Sequence, residues 1–348
     1  MCPVKTVPKL STLDKNAFDI ALIDGVRTEL EEVYVELRQA EEAFYLGAAE
    51  SACSSGEEYL IERGCPLCNM FDGLPFVTSR GMRIVRCRAC GHVYSRDVYS
   101  SVLDVHMYEN AGGNLWPAYL KLKEHPAFAK VERLRNIYYL EACERYARVG
   151  RLLDIGSGSG SLLYQAAERG WDVQGLDPNL IWQKILPPLI NPRQGFFPDS
   201  LAPEERFDVI AMLDVIEHMV DPIKFLASTA RHLTPGGIVL VQVPNINSLL
   251  IRLEGATNNN ICPGHWSYFD AEALNRLARI CGFETLFIET VISELDRILA
   301  FDTAQMATAT TLVNIPLPDL VSLTPEWVHE HLLGYKLICI LRPVAPCS

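Results

Sequence analysis

No stretch of the 348 residues approaches the roughly 18 consecutive apolar residues of a membrane-spanning helix. The opening Met1-Cys2-Pro3-Val4-Lys5 has no apolar signal-peptide core behind it, so a cytoplasmic protein is expected. Positive charge is scarce: 31 Lys and Arg stand against 43 Asp and Glu, a formal net charge of -12. Phosphate backbones and anionic membranes recruit clustered Lys and Arg. The balance therefore counts against nucleic acid or a membrane surface as main partner. No glycine-rich stretch ends in the Lys of a phosphate-cradling P-loop. Disorder is excluded as well, since 49% of residues are hydrophobic and only 21% charged.

What is present centres on Leu152-Leu153-Asp154-Ile155-Gly156-Ser157-Gly158-Ser159-Gly160. An apolar strand enters a turn with glycine at alternate positions, and the helix-forming run Ser161–Glu168 follows. Glycines let the backbone turn tightly and approach a ligand, and the helix start offers free N–H groups. A dinucleotide fingerprint needs G-x-G-x-x-G, but its third glycine would fall on Ser161. Downstream, strands are expected at Leu152–Ile155, Trp171–Leu176, Phe207–Leu213, Ile238–Val243, Glu284–Val291 and Leu337–Leu341. Helices are expected at 161–169, around Val215–Met219, at Pro222–Leu233 and at Ala271–Cys281, with a stop and turn at Thr234-Pro235-Gly236-Gly237. This alternation predicts an α/β fold with a doubly wound, mostly parallel sheet. Ligands then sit outside the carboxyl ends of the strands, where Asp154–Gly160, Asp177, Asp214–His218 and Val243–Asn245 fall.

Eleven cysteines are many for a cytoplasmic chain. Four of them form two C-x-x-C pairs, Cys65/Cys68 and Cys87/Cys90, with the eighteen residues 69–86 between them. That spacing reads as one tetrahedral zinc site rather than four unrelated buried thiols. Strand-like stretches Pro75–Ser79 and Met82–Arg86 add a ribbon hairpin turning at Arg80-Gly81. Four thiolates leave no open position for water, so a structural zinc is expected. Ahead of the ribbon, Val26, Leu30, Val33, Leu37, Ala40 and Phe44 form a narrow helical seam. It is suited to packing on its own protein or, over under three heptads, to a homodimer. The resulting organisation is an N-terminal helical segment (1–62), a zinc ribbon (63–98), a helical connector or lid (99–150) and a ligand-binding domain (151–348).

The G-x-G-x-G turn preceded by Asp154, the acidic Asp177 closing the second strand, the Asp214-Val215-Ile216-Glu217-His218 ending of the fourth, Asp221-Pro222, Thr234–Gly237, Pro244-Asn245 and His265-Trp266-Ser267-Tyr268-Phe269 together resemble class I S-adenosylmethionine-dependent methyltransferases. With the ribbon in front, the chain resembles the branch carrying an N-terminal zinc-binding ribbon, often tied to natural-product or sugar tailoring. The resemblance implies a Rossmann-like, seven-stranded fold. It implies S-adenosylmethionine held along Gly156, Ser157, Gly158, Gly160, Asp177, Pro178, Asp214 and Val215. Asp177 would hold the ribose diol, and Asp154 would fix the turn or receive the amino group. Tyr108 would cover the sulfonium, and Phe196 or Phe197 would flank the adenine unless both are plain core. The acceptor is expected to be a small molecule methylated on oxygen, nitrogen or carbon. His218 is the first candidate base, then His265 and Tyr268. His92, beside the second knuckle, is expected near the metal shell or at the surface. Against a small molecule stands an RNA or protein acceptor recruited by Arg80, Arg83, Arg86, Arg88 and Arg96 around the ribbon.

Overall fold

The apolar runs after residue 150 assemble into one seven-stranded sheet in the computed structural model, which describes residues 14–19, 25–55, 60–79, 81–99, 115–179, 181–182, 190, 192–311 and 323–344. In chain order the strands are β1 (Leu60–Glu62), β2 (Gly73–Ser79), β3 (Met82–Cys87), β4 (Val93–Ser95), β5 (Asp97–Tyr99), β6 (Arg151–Ile155), β7 (Asp172–Asp177), β8 (Arg193–Gln194), β9 (Phe207–Leu213), β10 (Leu233–Pro244), β11 (Ser267–Tyr268), β12 (Phe283–Val291) and β13 (Lys336–Pro343). The large sheet runs β12-β13-β10-β9-β6-β7-β8. Only β13 opposes its neighbours; β8, β7, β6, β9 and β10 run parallel. This is the doubly wound, mostly parallel seven-stranded topology that the resemblance implies. The order reverses between β6 and β9, which places the switch-point crevice at their carboxyl ends.

Both faces of the sheet are covered, as a parallel sheet requires. One face packs on helix α1 (Val26–Ser55) and helix α2 (Pro126–Cys143), with Leu152, Val209 and Leu240 in that core; the other packs on Ala271–Ile280. Val26, Leu30, Val33 and Leu37 of α1 are all buried in this intramolecular core. These four seam positions are thereby spent within the chain. Among the described residues no helix is long and apolar enough to cross a membrane.

Several expectations shift. Thr234-Pro235-Gly236-Gly237 is not a stop ahead of a strand but an irregularity inside β10: Leu233 pairs with Phe207, and pairing resumes at Ile238 with Val209. The helix expected around Val215–Met219 is a single 3-10 turn, Ile216–His218. Pro222–Thr229 is helical and hands over to a 3-10 turn at Ala230–His232. The second strand sits one residue later than expected and ends on Asp177 itself.

The ribbon has its own antiparallel sheet, ordered β11-β4-β3-β2. Its edge strand β11 comes from the distal part of the chain, with Ser267 opposite Tyr94 and Tyr268 opposite Val93. Arg63 pins the junction, donating to the carbonyls of Ser95 at 3.2 Å and Trp266 at 2.7 Å. His92 is not at the surface: it is buried against Phe269, with ring centroids 5.3 Å apart. Burial holds its imidazole neutral, down to about 3.

Candidate active site

The glycine turn leaves β6 with Gly156, Gly158 and Gly160 all in the left-handed region, at φ +69°, +47° and +67°. Each would be strained with a side chain. At Gly156 the reason is also space, because a Cβ would lie 2.8 Å from Val215 Cγ2. Among the described residues, a Cβ at Gly158 would meet nothing nearer than Trp182 at 3.9 Å. Ser157 points down instead: its hydroxyl is buried without a partner, close to Gly175 of β7.

Asp177, the last residue of β7, faces this turn. Its carboxylate accepts the Gly158 N–H at 2.8 Å and the Asn179 N–H at 2.8 Å, one on each oxygen. Each oxygen keeps a further lone pair for a diol. Burial outweighs these two bonds and raises Asp177 to about 6. Asp154 is deeper still; burial first, and Asp177 second, push its carboxyl well above the usual range. Pro178 is half-buried, and its carbonyl receives the Gln194 amide at 3.3 Å. Of the two phenylalanines, Phe197 is core, packed edge-on to Phe225, while Phe196 is 39% exposed, two residues beyond the Gln194 that pairs with Asp177. Tyr108 lies outside the described residues.

Asp214, directly after β9, takes a left-handed conformation, φ +55°. Both its oxygens are engaged, by Lys336 Nζ at 2.7 Å and Gln242 Nε2 at 2.8 Å, and Gln242 is in turn held by Tyr139 at 2.6 Å. Burial favours the neutral acid, but Lys336 prevails and Asp214 sits below its ordinary range. Asp214 thus organises the site, with its carboxylate turned to the protein.

The next turn brings Glu217 and His218 against His265. The two imidazole centroids are 4.6 Å apart, and ligand-type atoms of all three residues lie within 4.8 Å of one another, a spacing that also suits a cation. Each imidazole donates Nδ1–H to a backbone carbonyl, His218 to Gly264 at 2.8 Å and His265 to Asn260 at 2.9 Å. That assigns the basic lone pair to Nε2 in both rings. Burial drives both histidines neutral, His218 to about 4. The Glu217 carboxyl is buried with neither oxygen partnered, and burial, followed by the charge of Asp214, raises it well above the usual carboxylate range. Tyr268 lies 6.3 Å from His265 but sits in an apolar cluster with Ile84 and Ile251; its hydroxyl donates to the Cys262 carbonyl at 3.3 Å.

Sequence reasoning missed Trp116 and Trp182, which meet edge-on at 6.0 Å beside the glycine turn, and Lys336, which holds Asp214 from β13. The aromatic pair has no periodic signal, and Lys336 and Asp214 are 122 residues apart.

The cysteine cluster follows from two matched knuckles. Cys65 N–H bonds Met70 O and Cys87 N–H bonds His92 O, each at 2.9 Å, while Asn69 and Gly91 take the left-handed positions after each pair. Sγ of Cys65 lies 3.5 Å from that of Cys90, and Cys68 from Cys87 likewise. A tetrahedral zinc with bonds near 2.3 Å needs sulfurs about 3.8 Å apart, so the four residues fit the ion. The ribbon arginines are mostly paired with acids: Arg83 with Asp97, Arg88 with Asp72 and Arg96 with Glu62. Arg80 is outside the described residues.

Residues 123–287 match the family profile of a methyltransferase domain. A ubiquinone biosynthesis O-methyltransferase of Bradyrhizobium sp. is 30% identical over 147 residues, covering 36% of this chain and 57% of that protein. One of Cereibacter sphaeroides is 36% identical over 115 residues, 30% and 47% respectively. The chain spans about half the length of the curated relatives it matches. A SAM dependent methyltransferase structure from Archaeoglobus fulgidus superposes with a TM-score of 0.44 at 18% identity, over 64% of this chain and 98% of the other.

Proposed function

We propose that the chain, whose residues 123–287 match the methyltransferase domain profile, is an S-adenosylmethionine-dependent methyltransferase of a small molecule. The observation that carries this reading is the pairing of Gly158 N–H with Asp177 at 2.8 Å across two strand ends, with Trp182 the nearest described side chain above Gly158. Bound there, the donor supplies a methyl group on a cationic sulfur. The chain's own tasks are then alignment and proton removal. Alignment of nucleophile, methyl and sulfur is the larger part of such a displacement. Asp177 orients the ribose, the glycine turn lets the backbone come close, and Phe196 and the Trp116–Trp182 pair provide flat apolar walls for the adenine. A thermal-shift titration with S-adenosylhomocysteine tests the assignment: a saturable rise in Tm is expected, and its absence at millimolar ligand removes the reading.

His218 accepts the proton of an acceptor hydroxyl or amine at Nε2, with Nδ1–H fixed on Gly264 and His265 beside it. Because its ring is neutral down to about 4, His218 is competent as a base throughout the neutral range and imposes no acid limb above pH 5. His218→Gln is expected to lower kcat by about 10²–10⁴-fold while leaving S-adenosylhomocysteine affinity within about twofold. Equal loss of both in steady-state kinetics and calorimetry would assign His218 a purely structural role. The Cys65/Cys68/Cys87/Cys90 site holds a structural zinc, with one tightly bound ion per chain expected in metal analysis of protein purified without added metal.

A further inference from the structure

The ribbon and the sheet domain enclose a cleft of about 830 Å³, within the size range of small-molecule sites. Its ribbon wall carries Phe76, Val77 and Arg86; its other wall carries Asn247, Arg252 and His331. It begins at Asn245, one residue past β10, on the sheet edge that carries the glycine turn. Arg86 is the exception among the described ribbon arginines singled out above: it forms no ion pair. Its guanidinium lies 5.3 Å from the Phe76 ring centroid and donates to Gly91 O at 3.1 Å. Arg252 has no carboxylate partner either. It bonds the amide oxygen of Asn247, and its Nε is buried with no acceptor at all.

Two guanidinium groups lining one cleft with no carboxylate bonded to either are costly unless something anionic arrives. Burial, and then the charge of Arg86, depress Arg252 to about 10. The carboxylates lining the cleft are committed elsewhere. Asp270 caps its helix through Ala273 N–H at 2.8 Å and accepts the Asn247 amide at 3.0 Å. Glu272 faces Arg276 at 3.7 Å. Asn247 stands between Asp270 and Arg252, its oxygen toward the guanidinium and its nitrogen toward the acid. Guanidinium groups in pairs suit oxyanions, which accept in-plane, bidentate hydrogen bonds.

We propose that Arg86 and Arg252 form an anion-binding site that anchors an oxyacid group of the acceptor, phosphate or carboxylate, between ribbon and sheet domain. That the ligand is the methyl acceptor rests on the methyltransferase reading; the anion site itself does not. The ribbon then contributes half of a substrate anchor in addition to its own fold. Calorimetric titration of the full chain with inorganic pyrophosphate, and separately with citrate, tests it. Wild type is expected to bind one anion per chain, with tenfold or greater weakening in Arg252→Gln and in Arg86→Gln. Arg231→Gln, on the exposed surface, should stay within twofold of wild type. Pyrophosphate binding more tightly assigns a phosphate handle; citrate binding more tightly assigns a carboxylate. Absence of saturable binding of either anion to wild type, or unchanged affinity in both cleft variants, overturns the proposal. S-adenosylhomocysteine titration of the same variants reports folding. Arg86 is half-exposed on the ribbon, so Arg86→Gln decides the matter should Arg252→Gln fail to fold. Failure of wild type to bind S-adenosylhomocysteine would instead remove the methyltransferase reading and leave the anion site standing.

Discussion

Asp177→Ala is expected to lower S-adenosylhomocysteine affinity by about 100-fold in calorimetric titration. A buried carboxylate that holds a ribose diol contributes roughly 1.5–3 kcal/mol through a charge-assisted bond, and ~2.7 kcal/mol corresponds to 100-fold. The same substitution strips the acceptors from Gly158 and Asn179, so the turn loses a brace as well as a ligand contact. Affinity equal to wild type would show that the ribose lies elsewhere. A pH series gives an independent check. Asp177 sits near 6, raised by burial, and the diol is best held by the ionised form. Affinity should therefore be flat above pH 6 and fall about tenfold per pH unit below it, a limb that Asp177→Asn abolishes. In the free protein the sign is opposite. A carboxyl raised from about 4 to about 6 on folding adds stability that is fully present below pH 4 and lost as pH rises to 6.

Cys87→Ser, or stripping the metal with a strong chelator, is expected to cost activity at least 100-fold while S-adenosylhomocysteine affinity changes by less than about threefold. Structural zinc supplies on the order of ten kcal/mol to the folding of such small modules, and a segment of this size has little core of its own. The damage reaches the catalytic side through β11. Ser267–Tyr268 pairs with β4, so unfolding the ribbon releases the segment that carries His265 and the Gly264 carbonyl that orients His218. The glycine turn and Asp177 are built on β6 and β7, which have no strand pairing with the ribbon. Parallel loss of cofactor binding and turnover would contradict this division.

Much of this was legible in the residues. Glycines at alternate positions favour left-handed backbone, and apolar runs located the expected strands other than β10 to within a residue or two. The two C-x-x-C pairs specified their own knuckles, because local spacing decides local geometry. What was not legible is long-range. A two-residue strand such as Ser267–Tyr268 has no periodicity to read, and its pairing with Tyr94 and Val93 exists only because the ribbon docks there. The engagement of Asp214 by Lys336 and Gln242 depends on β13 and β10 lying side by side. Thr234–Gly237 carries the composition of a turn, yet neighbouring strand β9 draws it into β10 as a bulge. Phe196 and Phe197 are adjacent in sequence, and only the packing of Phe197 on Phe225 separates the core ring from the exposed one.

Strand β11 also bears on the order in which the protein can be made. The ribbon's cysteines and first three sheet strands leave the ribosome about 170 residues before Ser267 supplies the fourth. At ~5–20 residues per second the exposed edge of β4 waits on the order of ten seconds or more, long enough for a metal ion to arrive first. Biogenesis then runs backwards relative to chain order: the N-terminal module is made early but completed late, and a nascent chain arrested before residue 267 presents an open strand edge. Truncations that remove the C-terminal third should accordingly aggregate through the ribbon rather than through the domain that was cut.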